Sequence, residues 1–151
     1  STSSVWLNNT SPTSTVWTIG TDVDINGSTR TYVAYCFAEV AGYSKFGSYT
    51  GNGSTDGPFV YLGFRPAYVL VKASSTTSSW RVYDFKRLGY NLTDDPLLPN
   101  STSAESSEAG GIDLVSNGFK VRWSDTVVNG SGSTYIYAAF AESPFKYSLA
   151  R

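Results

Sequence analysis

The sequence predicts an all-β fold, an antiparallel β-sandwich of jelly-roll or concanavalin-like form with an internally repeated hairpin. Three observations predict it: apolar residues recur with period two in short runs, Gly-centred turn signals separate those runs, and one hairpin sequence occurs twice. The runs fall at 15–19, 32–39, 59–61, 67–72, 80–84, 112–115, 119–123 and 135–141, and no segment offers a convincing helix. Between them stand Asn26-Gly27, Asn52-Gly53, Asp56-Gly57-Pro58, Asn117-Gly118 and Asn129-Gly130. Such residues accept positive φ at little cost and so turn the chain. Aromatic residues make up 15% of the chain, 11 of them Tyr, an enrichment that suits a pleated, half-buried surface.

In chain order, the run at 15–19 combines two Thr with Val16, Trp17 and Ile19. In the run at 32–39, Val33, Tyr35 and Phe37 share one face and Tyr32, Ala34, Cys36 and Ala38 the other. Small residues on one side suit close packing against a second sheet or a subunit. The run at 59–61 follows the Asp56-Gly57-Pro58 turn, and 67–72 is almost continuously apolar. Trp80 opens the next run, and Asn117-Gly118 separates the two after that. The last run, 135–141, repeats the pattern of 32–38. What remains, 88–111, is a long polar loop and the most acidic part of the chain; a loop of this length in a compact domain is mobile or functional.

The repeat is the most informative feature. The stretch from Asn26 reads NGSTRTYVAYCFAE and that from Asn129 reads NGSGSTYIYAAFAE. They align without a gap at an interval of 129 − 26 = 103 residues, with Thr31/Thr134, Tyr32/Tyr135, Phe37/Phe140, Ala38/Ala141 and Glu39/Glu142 shared. One hairpin type used twice explains this more simply than a repeated ligand site. Cys36 falls where the second copy has Ala139, which predicts an inert buried thiol.

Composition narrows the function. At 151 residues the chain fits one domain, 1–151, able to bury roughly 70% of its unfolded surface. Net charge is −1 and the 11 Lys and Arg are scattered, so nothing forms the basic stripe that holds phosphates, and nucleic acid is not expected as a partner. The absence of His and the single Cys remove the usual general base, the usual zinc ligand and any internal disulfide. No apolar run approaches the ~20 residues of a membrane span. No cofactor and no membrane insertion are expected.

The runs YVAYCFAEVAGYSKFGSYTGNG (32–53), GPFVYLGFRPAYVLVK (57–72), SNGFKVR (116–122) and YIYAAFAESPFK (135–146) resemble a domain that recurs at the ends of bacteriophage tail-fibre-like and other virion proteins. The resemblance covers nearly the whole chain. It implies a non-catalytic, lectin-like module of a virion tail that recognises a host cell-surface glycan or protein, contacts other virion subunits and assembles as a homotrimer. Other expectations from the same resemblance are a structural virion protein, such as a capsid decoration or fibre-stabilising domain, and a glycan-cleaving tail enzyme. The opening residues, 1–39, read as the closing half of a preceding similar unit, in agreement with the repeat.

Candidate chemistry is sparse. Asp22-Val23-Asp24-Ile25-Asn26-Gly27 begins like a calcium loop, but its twelfth position is Val33 and not a bidentate Glu; a solvated turn is the simpler reading. Asp84, Asp94, Asp95, Glu105, Glu108 and Asp113 could supply the carboxylate pair of a glycosidase, yet no spacing singles out two of them. They read as loop charges and as ion-pair partners for Arg81, Lys86 or Arg87. No GxSxG elbow and no GK[ST] phosphate loop occurs. Sequons at Asn8, Asn9, Asn26, Asn52, Asn91, Asn100 and Asn129 follow from a Ser/Thr/Asn-rich composition. Aromatic rings are the plausible binding chemistry, because they stack on sugar faces while Asn and Asp hydrogen-bond hydroxyls. The candidate ligand surface is Tyr90, Asn91, Asp94 and Asp95 in the long loop, with Trp80 beside it.

Overall fold

The computed structural model describes residues 4–105 and 107–142. The chain divides into two compact units, Ser1–Phe37 and Ala38–Arg151. Among its described residues the second unit is all-β: seven strands in two antiparallel sheets, a sandwich-like arrangement with very little helix. The strands are β1 (Ser44–Thr50), β2 (Phe59–Tyr61), β3 (Pro66–Ala73), β4 (Arg81–Asp84), β5 (Ile112–Val115), β6 (Gly118–Val121) and β7 (Thr134–Ala141). Sheet order is β1-β7-β3-β4 in one layer and β2-β6-β5 in the other.

Period-two alternation builds the core. Val69, Val71 and Ala73 of β3 and Tyr135, Tyr137 and Ala139 of β7 face inward, with Tyr49 of β1 and Tyr83 of β4. Opposite them lie Val60, Ile112, Leu114, Phe119 and Val121 from the three-stranded sheet. Tyr49 stacks on its strand neighbour Tyr135 at 5.0 Å and meets Phe119 of the opposite layer edge-on at 6.0 Å, the second contact holding the two layers together. The Tyr49 hydroxyl donates to the Val128 carbonyl at 2.7 Å, so its one polar atom is paired inside the core.

Three elements differ from expectation. Residues 15–19 form no strand, because the Thr13 hydroxyl accepts from the amides of Thr15 and Val16 and curls the chain locally. Residues 32–39 join no sheet despite their β-forming composition; propensity describes fit to a pleated surface and cannot supply the neighbouring strands. Conversely, β1 was hidden in the Ser-, Lys- and Gly-containing stretch SKFGSYT. It is recruited through β7, with Ser44 opposite Phe140 and Thr50 opposite Thr134. Where no helix was expected, single turns occur at α1 (Ser4–Leu7), α2 (Val23–Asn26) and α3 (Phe85–Leu88). Asp22 and Asp84 cap the second and third, accepting from Asp24 and Lys86.

The two copies of the repeat fold alike at their turns. Asp22 and Asp125 each accept, through a side-chain oxygen, from the amide two residues on. The Tyr32 hydroxyl accepts from the Gly27 amide at 2.7 Å and donates to the Val23 carbonyl. The Tyr135 hydroxyl does the same with Gly130 and Thr126. Asn26 donates to the Gly20 carbonyl and Asn129 to that of Trp123. Every pair of partners keeps the 103-residue interval. Burial then separates the copies: Tyr135 is fully buried, whereas Tyr32 is 42% exposed.

Candidate binding surfaces

The acidic segment that the sequence sets apart as a loop is pinned to both sheets. Leu97 and Val82 exchange backbone hydrogen bonds at 2.9 and 3.0 Å, extending the four-stranded sheet past its β4 edge. Thr93 and Ile112 exchange theirs at 3.0 and 3.1 Å, extending the three-stranded sheet past β5. One segment thereby covers an edge of each sheet and ties the layers together. Gly111 makes this approach possible: a Cβ there would stand 1.9 Å from the Thr93 carbonyl oxygen.

This pinning decides where the expected site residues lie. Tyr90 is a largely exposed ring just after Gly89, whose φ of 76° ends α3. The Asn91 side chain donates to the Leu114 carbonyl and accepts from the Leu114 amide, both at 3.0 Å, and so acts as a surrogate strand residue beside β5. The Asp94 carbonyl accepts from the Glu108 amide, and the Asp95 carbonyl from Arg87 at 2.5 Å. Trp80 is half-buried at the other end, its amide donating to Asn100 at 2.9 Å. Tyr90 and Asn91 are thus held together, the two aspartates follow along the pinned segment, and Trp80 is anchored where that segment leaves β4.

A second surface was not singled out from the sequence. On the outer face of the four-stranded sheet, Phe140 of β7 is surrounded edge-on by Tyr43 at 6.1 Å, Phe46 at 5.8 Å and Tyr68 at 5.9 Å. All four rings are half-buried, and Leu70 and Ile136 continue the face. The signal was present in the period-two patterns of β3 and β7, but Phe46 lies in the strand whose polar composition concealed it. Burial first, and then the charge of Asp84, raise the Tyr68 phenol above its ordinary range. The hydroxyl stays a neutral donor and acceptor at the edge of an apolar platform.

Several of the charged side chains are held in ion pairs. Arg81 and Glu108 form an ion pair at 2.7 Å, with side-chain exposures of 9% and 15%. Burial pulls the Arg81 guanidinium down, and the hydrogen bond and charge of Glu108, with the charges of Tyr83 and Asp125, more than offset it. Asp113 binds Arg122 at 2.6 Å, Asp56 binds Lys120 at 2.8 Å, Glu142 binds Lys86 at 2.8 Å, and Glu105 pairs with Arg87. The hydrogen bond from Lys120, followed by its charge, lowers the Asp56 carboxyl. Asp22, the start of the calcium-like sequence, is occupied as a helix cap. Among the described residues no group of three or more Cys, Asp or Glu could hold a metal ion. Cys36 corrects the expectation of a buried thiol: it is exposed, because the first copy of the repeat is not enclosed by a sheet as Ala139 is.

The second unit is therefore a two-sheet β module with an aromatic outer face and a pinned loop edge. The chain belongs to the family described as a domain of unknown function, DUF7483, whose profile matches residues 1–144. No curated protein and no solved structure matches it.

Proposed function

We propose that the chain is a non-catalytic recognition module of a bacteriophage tail fibre or tail tip, which binds a host-surface glycan on the outer face of its four-stranded sheet. The observation that carries this reading is the ring cluster of Tyr43, Phe46, Tyr68 and Phe140, fixed on a hydrogen-bonded sheet and half-exposed. Rigid aromatic faces stack on the apolar side of sugar rings at little entropic cost. Tyr68 adds a hydroxyl at the rim. The module works as part of a homotrimer in the virion, consistent with the resemblance of its motifs to tail-fibre-like proteins.

Binding of the labelled chain to candidate host cells, competed by their purified surface polysaccharide, tests this. Saturable and competed binding is expected, reduced about fivefold by Tyr68→Ala, the loss of one stacking ring. If Tyr90→Ala lowers binding and Tyr68→Ala does not, the site belongs to the pinned loop. A second reading, a structural virion subunit, is favoured by the apolar residues exposed in the first unit, among them Val33 and Tyr35. A folded chain that binds no cell in a broad host panel would move the assignment there.

A further inference from the structure

The first unit contains a strand sequence in the wrong surroundings. In the second unit, β7 is an inner strand, hydrogen-bonded to β1 on one side and β3 on the other. Its counterpart at 31–38 is preceded by the same turn with the same hydrogen bonds, yet joins no sheet. The residues that match the inward Tyr135, Tyr137 and Ala139 of β7 are all exposed here: Tyr32, at 42%, Ala34 and Cys36. The interval extends further back along the chain. Val16 corresponds to Phe119, which is fully buried between Tyr49 and Tyr137, whereas Val16 is 61% exposed. Between the stretch at 12–17 and the stretch at 35–37 lies a groove of about 460 Å³ with mixed polar and apolar walls, Trp17 and Tyr35 among them.

We infer that residues 31–38 are the inner strand of another sandwich, whose two flanking strands come from a further copy of the repeat lying N-terminal to it in the same polypeptide. Two arguments choose this occupant over a second copy of the chain. The slot between β1 and β3 is already taken by β7. That slot is also shaped for Tyr137, whose hydroxyl would stand 2.8 Å from a Cβ at Gly47 and whose ring meets Phe119 edge-on at 5.6 Å. Ala34 occupies the position of Tyr137 in the first copy and would leave that space empty. The flanking strand that suits Ala34 carries a side chain where β1 carries Gly47.

The test compares the 151-residue chain with the same chain extended N-terminally through one more repeat of its parent polypeptide. Amide hydrogen exchange at 31–38 and alkylation of Cys36 by iodoacetamide are measured in each. In the shorter chain, these amides exchange within seconds and Cys36 reacts as an open thiol, at any protein concentration. In the extended chain, the amides gain at least about a hundredfold protection and Cys36 becomes inert, as for an inner strand. Independently of folding, the parent sequence 103 residues upstream of β1 and β3 must carry two period-two strands, with a residue larger than Gly opposite Ala34. Absence of those strands, or a folded extended chain without added protection, overturns the inference. So does protection in the shorter chain that rises with concentration, since that would make a second copy the occupant.

Discussion

A hydrogen bond repeated at two places with different burial lets solvent be separated from geometry at the scale of one residue. Tyr135→Phe leaves the buried Gly130 amide and the partly buried Thr126 carbonyl without their partner and should cost about 2 kcal/mol. Tyr32→Phe removes the same bonds where water replaces them and should cost less than about 0.5 kcal/mol. Urea midpoints of the two variants check the difference. Asn129 is more exacting: fully buried, it donates to Asn52, Ser54 and Trp123 and accepts from the Asn52 amide. Asn129→Ala strands several polar groups at once, for an expected loss of about 3 kcal/mol. Glu108→Ala, which leaves the Arg81 guanidinium buried without its counter-charge, should cost a similar amount by the same measurement, about 3 kcal/mol.

Individual elements show which features a sequence can carry. The runs at 59–61 and 112–115 were legible to the residue because each side chain alternates between core and solvent. The strand β1 was not, since only Tyr49 and Ser44 of its seven residues are buried and its identity comes from β7. Residues 32–39 mislead in the opposite sense: their composition is that of an inner strand, but strand formation needs neighbours. The site followed the same logic. Tyr90 and Asn91 were found as loop residues, but the aromatic face was missed, because it is assembled from strands distant in sequence and periodicity cannot report which strands are adjacent. The pinned segment yields a prediction at this scale. Gly111→Ala forces a Cβ against the Thr93 carbonyl, so it should cost about 2 kcal/mol. It should also release the amides of Thr93 and Leu97 to hydrogen exchange while β7 stays protected.

For the whole molecule, the tyrosine-rich core sets the response to alkali. Burial holds the phenols of Tyr49 and Tyr83 well above the ordinary range, and neighbouring phenols or Glu108 push in the same direction. Unfolded Tyr ionises near pH 10, and the folded phenols ionise higher. Their contribution to stability is therefore complete below about pH 10 and is lost as pH climbs through the range above it. Thermal midpoints should be level from about pH 7 to 9 and fall beyond about pH 10, with tyrosinate absorbance appearing together with unfolding.

The pairing of β1 with β7 also fixes how the second unit would bear a load. The chain enters the sheet at Ser44 and leaves at Ala141, and Ser44 faces Phe140 across the ladder. Tension applied through those two ends does not slide the strands past each other. It peels them apart, breaking backbone hydrogen bonds one after another from a single end, so that each bond resists alone. Pulled instead from Thr50 and Ala141, at opposite ends of the same pair, the ladder would be sheared and all of its bonds would share the force. Under end-to-end stretch this sandwich is a zipper that opens at low force, gives up its length, and can close again when the tension drops.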